Sequence, residues 1–90
     1  MMIDFEEKIL ALIDARIESA SDDELFAGGY LRGHVSLSAA ACEEDNIDDI
    51  AELKSRIGAS IEHARSELAP ADLVIVQALW EDLQSQLSTD

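Results

Sequence analysis

The amino-acid sequence predicts an all-α fold, an antiparallel four-helix-type bundle with an additional short helix or kinked corner near residues 22–29. Apolar residues recur at intervals of three and four positions along four segments, which is the spacing of one face of an α-helix. The composition agrees, because 48% of the 90 residues are hydrophobic while proline occurs once and valine three times. Four amphipathic helices with short connections bury their apolar faces most simply by packing antiparallel.

The first predicted helix covers residues 4–19 and carries a single apolar stripe. Asp4 is a suitable N-cap, and the acidic residues that follow it lie at the positive end of the helix dipole. We expect the stripe to face the core. It consists of Phe5, Ile9, Leu12, Ile13 and Ile17.

A second helix is predicted to begin at Asp22. Ser21 and Glu24 have the spacing of a capping box, in which each side chain accepts a hydrogen bond from the backbone N–H of the other residue. The pair Gly28-Gly29 predicts a break or a kink before a long helix over residues 30–44. We expect the backbone of a neighbouring helix to approach closely along one side of this region, where all residues are small. That side consists of Gly29, Gly33, Ser36 and Ala40.

Two further helices complete the prediction. Asn46 is expected to cap a third helix over residues 47–68, whose apolar positions form nearly a heptad repeat. Pro70 is expected at the first position of the fourth helix, where its missing N–H leaves no hydrogen bond unmade. The apolar positions of the fourth helix are Leu73, Val76, Trp80, Leu83 and Leu87. Trp80 is the largest of them and is expected in the core.

The charge restricts the classes of partner. Twenty acidic residues against six basic ones give a formal net charge of −14. Nucleic-acid backbones and anionic membranes both require a basic surface, so we expect the protein to bind neither. A basic protein partner is compatible with this charge. The same charge keeps a small protein soluble, and we expect a monomer or a weak homodimer.

Length and cysteine content indicate a single intracellular domain. Ninety residues suit one helical domain, here residues 1–90. Cys42 is the single cysteine, so no disulfide forms within the chain. The first residues are acidic rather than basic, and the apolar runs are too short for a signal peptide or a membrane span. We therefore expect a cytoplasmic protein of the bacterial type.

The sequence contains no recognisable catalytic, cofactor or metal motif. His34 and His63 are far apart, and neither follows a glutamate by three positions, as the di-iron bundles require. The acidic residues between Glu43 and Asp49 lack the central glycine of a calcium loop. Cys42 follows three alanines on an apolar helix, where a lone cysteine is usually unreactive. We expect a non-enzymatic protein that uses no cofactor and no metal.

One segment departs from the acidic character of the chain, since residues 25–42 contain no aspartate or glutamate. A structural explanation is that this segment is the central helix, with Arg32 paired to an acid of a neighbouring helix. A functional explanation is that the sequence Gly-Gly-Tyr-Leu-Arg-Gly-His forms a neutral-to-basic docking patch, because tyrosine and arginine often anchor partners. The candidate partner-binding residues are Gly29, Tyr30, Arg32 and His34.

The same region resembles a known family. Residues 21–27, Ser-Asp-Asp-Glu-Leu-Phe-Ala, and residues 29–34, Gly-Tyr-Leu-Arg-Gly-His, are similar to the YfcL family of small, functionally uncharacterised gammaproteobacterial proteins. Residues 10–14 and the pair Trp80-Glu81 are similar as well. The resemblance implies a short, all-helical, cytosolic protein and carries over no catalytic residues. Ala69 departs from the Ser-Pro helix start of the family, which affects local stability.

Three functions compete at this point. The first, which we favour, is a protein–protein interaction module that docks an unidentified partner through the acid-free segment. The second is an acidic surface that binds a basic protein or imitates a nucleic acid. The third is a small-molecule-binding or enzymatic domain that uses His34, which requires a concave pocket around that residue.

Overall fold

The computed structural model describes residues 2–87, and four α-helices account for most of them. These are α1 (Met2–Ala15), α2 (Asp22–Glu44), α3 (Ile50–His63) and α4 (Pro70–Leu87). Short 3-10 turns follow α1 and α3, at Ile17–Ser19 and Ala64–Ser66. The described part of the chain contains no strand. The predicted all-α four-helix bundle is confirmed.

The central helix is α2, which packs against each of the other three helices. It runs antiparallel to α1, because Asp14 near the end of α1 pairs with Arg32, whereas Glu6 near its start lies close to Glu43. Helix α3 also runs antiparallel to α2, because its contacts with α2 follow the reverse order along the chain. Tyr30 bonds to Glu67 just beyond α3, whereas Asp45 pairs with Arg56 within α3.

The core is built from the apolar stripes that the sequence indicates, with one exception. Ile17 of the first stripe was expected to face the core and is exposed, because α1 ends at Ala15 and Ile17 lies in the 3-10 turn that follows. Trp80 is buried, as predicted, and Leu31, Val35 and Cys42 of α2 are fully enclosed. The buried side chains from the other helices include Phe5, Ile9, Ile13, Leu53, Ile57, Ile61, Leu73, Val76 and Leu83. All four helices therefore contribute to a common core.

Helix α1 begins earlier than predicted, and Asp4 lies in its first turn rather than at its N-cap. Met2 is buried, and its backbone N–H donates to a carboxylate oxygen of Asp48 at 2.9 Å. This tertiary contact fixes the start of the helix and removes the need for the local cap that the sequence suggests. At the other end α1 stops at Ala15, and the 3-10 turn Ile17–Ser19 forms the corner to α2.

Helix α2 continues without interruption through Gly28-Gly29, so the predicted break is wrong. Residues 22–29 form the first turns of α2 rather than a separate short helix, and the corner lies one turn earlier. Ala27 and Gly28 are buried, and a Cβ atom at Gly28 would contact Cγ2 of Ile13 at 3.4 Å. Packing against α1 outweighs the cost of about 1 kcal/mol that each helical glycine carries.

The connection between α2 and α3 also differs from the prediction. Asn46 does not cap α3. It has a φ of 59°, and the N–H of Ile47 donates to the carbonyl of Cys42 at 2.8 Å. This is the Schellman arrangement that ends a helix, with asparagine in the left-handed position that glycine usually occupies. The N-cap of α3 is Asp49, whose carboxylate accepts from the backbone N–H of Ala51 at 3.0 Å.

Helix α3 is shorter than predicted, and α4 begins as expected. The 3-10 turn Ala64–Ser66 replaces the last turns of the predicted third helix. Pro70 is the first residue of α4, as its spacing to Asp72 indicates.

Truncating Trp80 is expected to remove a large part of the stability. Trp80→Ala should lower the free energy of unfolding by about 3–5 kcal/mol, because it leaves a cavity in the common core. Urea unfolding followed by circular dichroism measures this loss. Val74→Ala, on the exposed side of the same helix, is the control and should change the free energy by less than about 0.5 kcal/mol. Equal effects for the two variants would contradict the assignment of Trp80 to the core.

Candidate binding groove

The four candidate residues of the acid-free segment lie on two different sides of α2. Gly29 and Arg32 are three positions apart and face the side where α1 and α4 lie. Tyr30 and His34 are four positions apart and face α3. Each residue rotates by about 100° around a helix, so neighbouring positions such as 29 and 30 project in different directions. The structure therefore does not bring the four residues together into a single patch.

Tyr30 and His34 connect α2 to the α3 side of the bundle. The Tyr30 hydroxyl donates to a carboxylate oxygen of Glu67 at 3.3 Å, and Nδ1 of His34 is hydrogen-bonded to the Ser60 hydroxyl. The two rings lie against each other with centroids 4.5 Å apart. Partial burial and the negative charge of Glu67 raise the pKa of the Tyr30 hydroxyl. The polar groups of both residues thus bind within the chain and hold α2 against α3.

Arg32 is paired within the chain as the structural explanation expects. Its guanidinium donates to both carboxylate oxygens of Asp14 on α1, at 3.2 and 3.3 Å. This two-point hydrogen bond with a carboxylate raises the pKa of Arg32. About half of each side chain is exposed, so the pair contributes little to stability. Because Asp14 neutralises Arg32, the segment does not carry the free positive charge that a basic patch requires.

The glycines of α2 are not explained by close helix packing. A Cβ atom placed on Gly29 or on Gly33 would meet no atom within 4 Å. The expectation that a neighbouring backbone approaches along this side is therefore wrong. The neighbouring helices contact other faces of α2, and open space remains beside Gly29.

The space beside Gly29 belongs to a groove between α1, α2 and α4 that the sequence did not indicate. The groove has a volume of about 470 Å³, and aliphatic side chains form most of its surface. Its walls include Ile13 and Ile17 from the first part of the chain, Leu25 and Gly29 from α2, and Val74, Ile75, Ala78 and Leu79 from α4. Concave apolar surfaces with a few polar groups are the usual form of binding sites in proteins.

Several large side chains at this groove are exposed to solvent. Val74 is 62% exposed, Ile17 52% and Leu25 44%. All three line the groove, and Leu25 and Val74 lie outside the predicted apolar stripes, whereas Ile17 is the last member of the first stripe. For Leu25 and Val74 the signal in the sequence was an aliphatic residue outside the main stripes, which is weak because isolated exposed aliphatic residues are common. Only the fold shows that these three belong to one surface.

Two ion pairs flank the groove and connect its walls. Arg16 at the end of α1 pairs with Asp82 of α4 at 2.6 Å, and Asp14 pairs with Arg32. Two of the four arginines in the chain therefore lie at this site, each neutralised by a carboxylate. The presence of both charged and aliphatic side chains in its lining gives the groove an amphipathic character.

The predicted capping box is present and positions the α2 wall of the groove. The Ser21 hydroxyl accepts from the N–H of Glu24 at 3.2 Å, and the Glu24 carboxylate accepts from the N–H of Ser21 at 3.0 Å. Hydrogen bonding of the Glu24 carboxylate to the backbone N–H of Ser21 first and to the Ser21 hydroxyl second, with a smaller contribution from the charge of Arg16, lowers the pKa of Glu24. The box fixes the first turn of α2, from which Glu24 and Leu25 reach the groove.

The histidines, Cys42 and the acidic residues between Glu43 and Asp49, which the sequence analysis considered as possible ligands or reactive groups, do not line the groove. Within residues 2–87, no three histidine, cysteine, aspartate or glutamate side chains are arranged to hold a metal ion. Cys42 is fully buried in the core. None of the helices between residues 2 and 87 combines the length and the apolar character that crossing a bilayer requires.

Fold and groove together define the class of this protein as a small helical bundle with an open, mainly aliphatic groove. The chain belongs to the YfcL family, since the family described as YfcL protein matches residues 3–85. It is 43% identical, over 90 aligned residues and 98% of each chain, to a protein of Escherichia coli (strain K12) called Uncharacterized protein YfcL. The resemblance noted at residues 21–34 is thereby confirmed. No solved structure matches the chain.

Removing the Ser21 hydroxyl is expected to raise the pKa of Glu24 towards its usual value of 4.5, because a hydrogen bond to the carboxylate is lost. In the wild type the folded-state pKa lies below 4.5, so the capping box stabilises the fold above that pH. This contribution disappears as the pH falls through the folded-state pKa. Carboxyl-carbon NMR titration of wild type and Ser21→Ala measures the shift.

Glu62 supplies an internal control for this titration. Its pKa is lowered by hydrogen bonds from Arg65, which is remote from Ser21 in the chain. The Glu62 titration should be identical in wild type and Ser21→Ala. An unchanged Glu24 titration in the variant would contradict the contribution of the Ser21 hydroxyl and leave the backbone N–H of residue 21 as the group that holds the carboxylate.

Proposed function

We propose that this protein is a non-enzymatic interaction module that binds a segment of a partner protein in the groove between α1, α2 and α4. The observation that carries the proposal is the exposure of Ile17, Leu25 and Val74 around an open aliphatic cleft. Exposed apolar surface is unfavourable in water, and contiguous apolar patches on soluble proteins usually mark binding sites. Covering these side chains would supply the free energy of binding.

Part of the predicted docking segment belongs to the proposed binding site. Gly29 and Arg32 line the groove, and the absence of a side chain at Gly29 leaves the groove open at its α2 wall. Tyr30 and His34 lie on the other side of α2 and fix this helix against α3. In this arrangement Gly29 provides space, Arg32 and Asp14 provide a polar edge, and the aromatic pair provides rigidity.

The charge of the chain favours a protein over other classes of partner. A net charge of −14 repels the phosphates of nucleic acids and of anionic lipids. A buried single cysteine is compatible with the reducing conditions of the cytoplasm, which we propose as the location of the protein.

A small apolar ligand is the second candidate for the same groove. A volume of about 470 Å³ lies within the range of small-molecule sites, roughly 300–1,000 Å³. Such sites enclose most of the ligand, whereas the edge of this groove exposes 62% of Val74 and 52% of Ile17. A ligand confined to the cleft would leave these side chains in water, so a partner that extends over the edge accounts better for the surface. His34 is outside the groove and has no part in either candidate.

Filling the groove at Gly29 is expected to abolish partner binding without harming the fold. Gly29→Leu places a side chain into open space and replaces a residue with poor helix propensity by a good one. Wild-type and variant protein are immobilised, and proteins captured from a lysate of the source bacterium are quantified by mass spectrometry. We expect the specific partner to fall at least about tenfold with Gly29→Leu, the loss that about 1.4 kcal/mol of binding free energy corresponds to.

Gly58→Leu is the matched control. Gly58 lies on α3, which does not form a wall of the groove, and a Cβ atom there also meets nothing within 4 Å. The control adds the same apolar side chain to the surface, so it reports any non-specific effect of an extra leucine. Partner capture should persist with Gly58→Leu. Equal capture by wild type and Gly29→Leu would overturn the proposed function.

A further inference from the structure

The length of the groove matches about two turns of a helix. Its walls extend over residues 24–32 of α2 and residues 74–82 of α4. At a rise of about 1.5 Å per residue, each wall is roughly 12 Å long. An amphipathic helix that lies along such a groove inserts apolar side chains at positions i, i+3 or i+4, and i+7, which is about three anchors.

The arginines at the groove do not provide free positive charge for an acidic partner. Arg16 is held by Asp82 at 2.6 Å and Arg32 by Asp14 at 3.2 Å. A ligand carboxylate would have to displace one of these acids and approach a protein whose net charge is −14. An anionic occupant is therefore unfavourable.

Four exposed carboxylates without an ion pair are next to residues of the groove lining in the chain. Asp22 and Asp23 precede the lining residue Glu24, Glu18 follows Ile17, and Glu81 precedes Asp82. All four are exposed, and none takes part in the ion pairs found among residues 2–87. The charged residues of the lining itself are three acids and two arginines, so cationic side chains that flank an apolar helix face would meet a net negative surface there.

We propose that the occupant of the groove is an amphipathic helix of a partner protein, with about three aliphatic residues on one face and lysine or arginine residues beside them. This inference rests on the proposed function and adds the chemistry of the partner. A second copy of the chain does not fit this description, because it has the same net charge of −14 and repels the first.

Synthetic peptides test the charge requirement directly. Three 18-residue helical peptides share one leucine-rich face and differ in the polar face, which carries lysine, glutamine or glutamate. Fluorescence anisotropy measures their binding to the full-length protein in dilute and in moderate salt. We expect the lysine peptide to bind at least about tenfold more tightly than the glutamine peptide, with the difference reduced by salt, and the glutamate peptide to bind weakest.

The Gly29→Leu and Gly58→Leu variants separate groove binding from general attraction between opposite charges. Both variants keep the wild-type net charge, so a purely electrostatic interaction would survive in each. We expect Gly29→Leu to lose the lysine peptide and Gly58→Leu to keep it. In addition, Glu18→Gln combined with Glu81→Gln should reduce the preference for lysine over glutamine while leaving binding of the glutamine peptide unchanged.

The outcomes distinguish failure of this inference from failure of the proposed function. Equal binding of the lysine and glutamine peptides, both lost in Gly29→Leu, would overturn the charge requirement and support the groove. Equal binding of the lysine peptide to wild type and Gly29→Leu would overturn the groove itself. Tightest binding of the glutamate peptide, or no binding of any peptide while partner capture still depends on Gly29, would overturn the cationic helix as the occupant.

Discussion

The simultaneous packing of α2 against three other helices is the constraint on which the rest of the structure depends. Its residues Leu31, Val35 and Cys42 are fully enclosed, and a charged group at such positions would lose its hydration without compensation. This accounts for the lack of acids at the buried positions of residues 25–42. It does not account for Gly33 and Leu37, which are exposed and uncharged on a chain that is acidic elsewhere. Burial therefore explains only part of the composition of this helix.

The same arrangement produces the groove. Three helices placed around a central one contact it more extensively than they contact each other, and α1 and α4 touch only slightly. The gap between them is bridged by the ion pair of Arg16 and Asp82 and has α2 as its floor. Aliphatic residues at the edges of α1 and α4 remain exposed there because no further helix of residues 2–87 covers them. The groove is thus a direct consequence of the topology.

Much of the fold was predictable because it depends on local patterns. The heptad-like spacing located the core residues, and the Ser21–Glu24 box and Pro70 marked two helix starts correctly. The errors occurred where tertiary contacts override local preference. Met2 is fixed by Asp48, and Gly28 is buried in the interface with α1, where a side chain would contact Ile13. The candidate site was predicted only in part. Gly29 and Arg32 line the groove, but one further wall comes from residues 13–20, before α2, and the other from residues 74–82, roughly 50 positions later in the chain. No local pattern encodes that proximity.

Because of its position, Cys42 can serve as a natural probe for the transient separation of α2 from the other helices. The thiol is the single one in the chain and is completely shielded from solvent. An alkylating reagent can therefore reach it only when α2 separates from the helices around it. If closing is faster than alkylation, the modification rate divided by that of an unstructured thiol gives the equilibrium fraction of open molecules. Such a measurement would follow the central helix under native conditions, without denaturant and without an introduced probe.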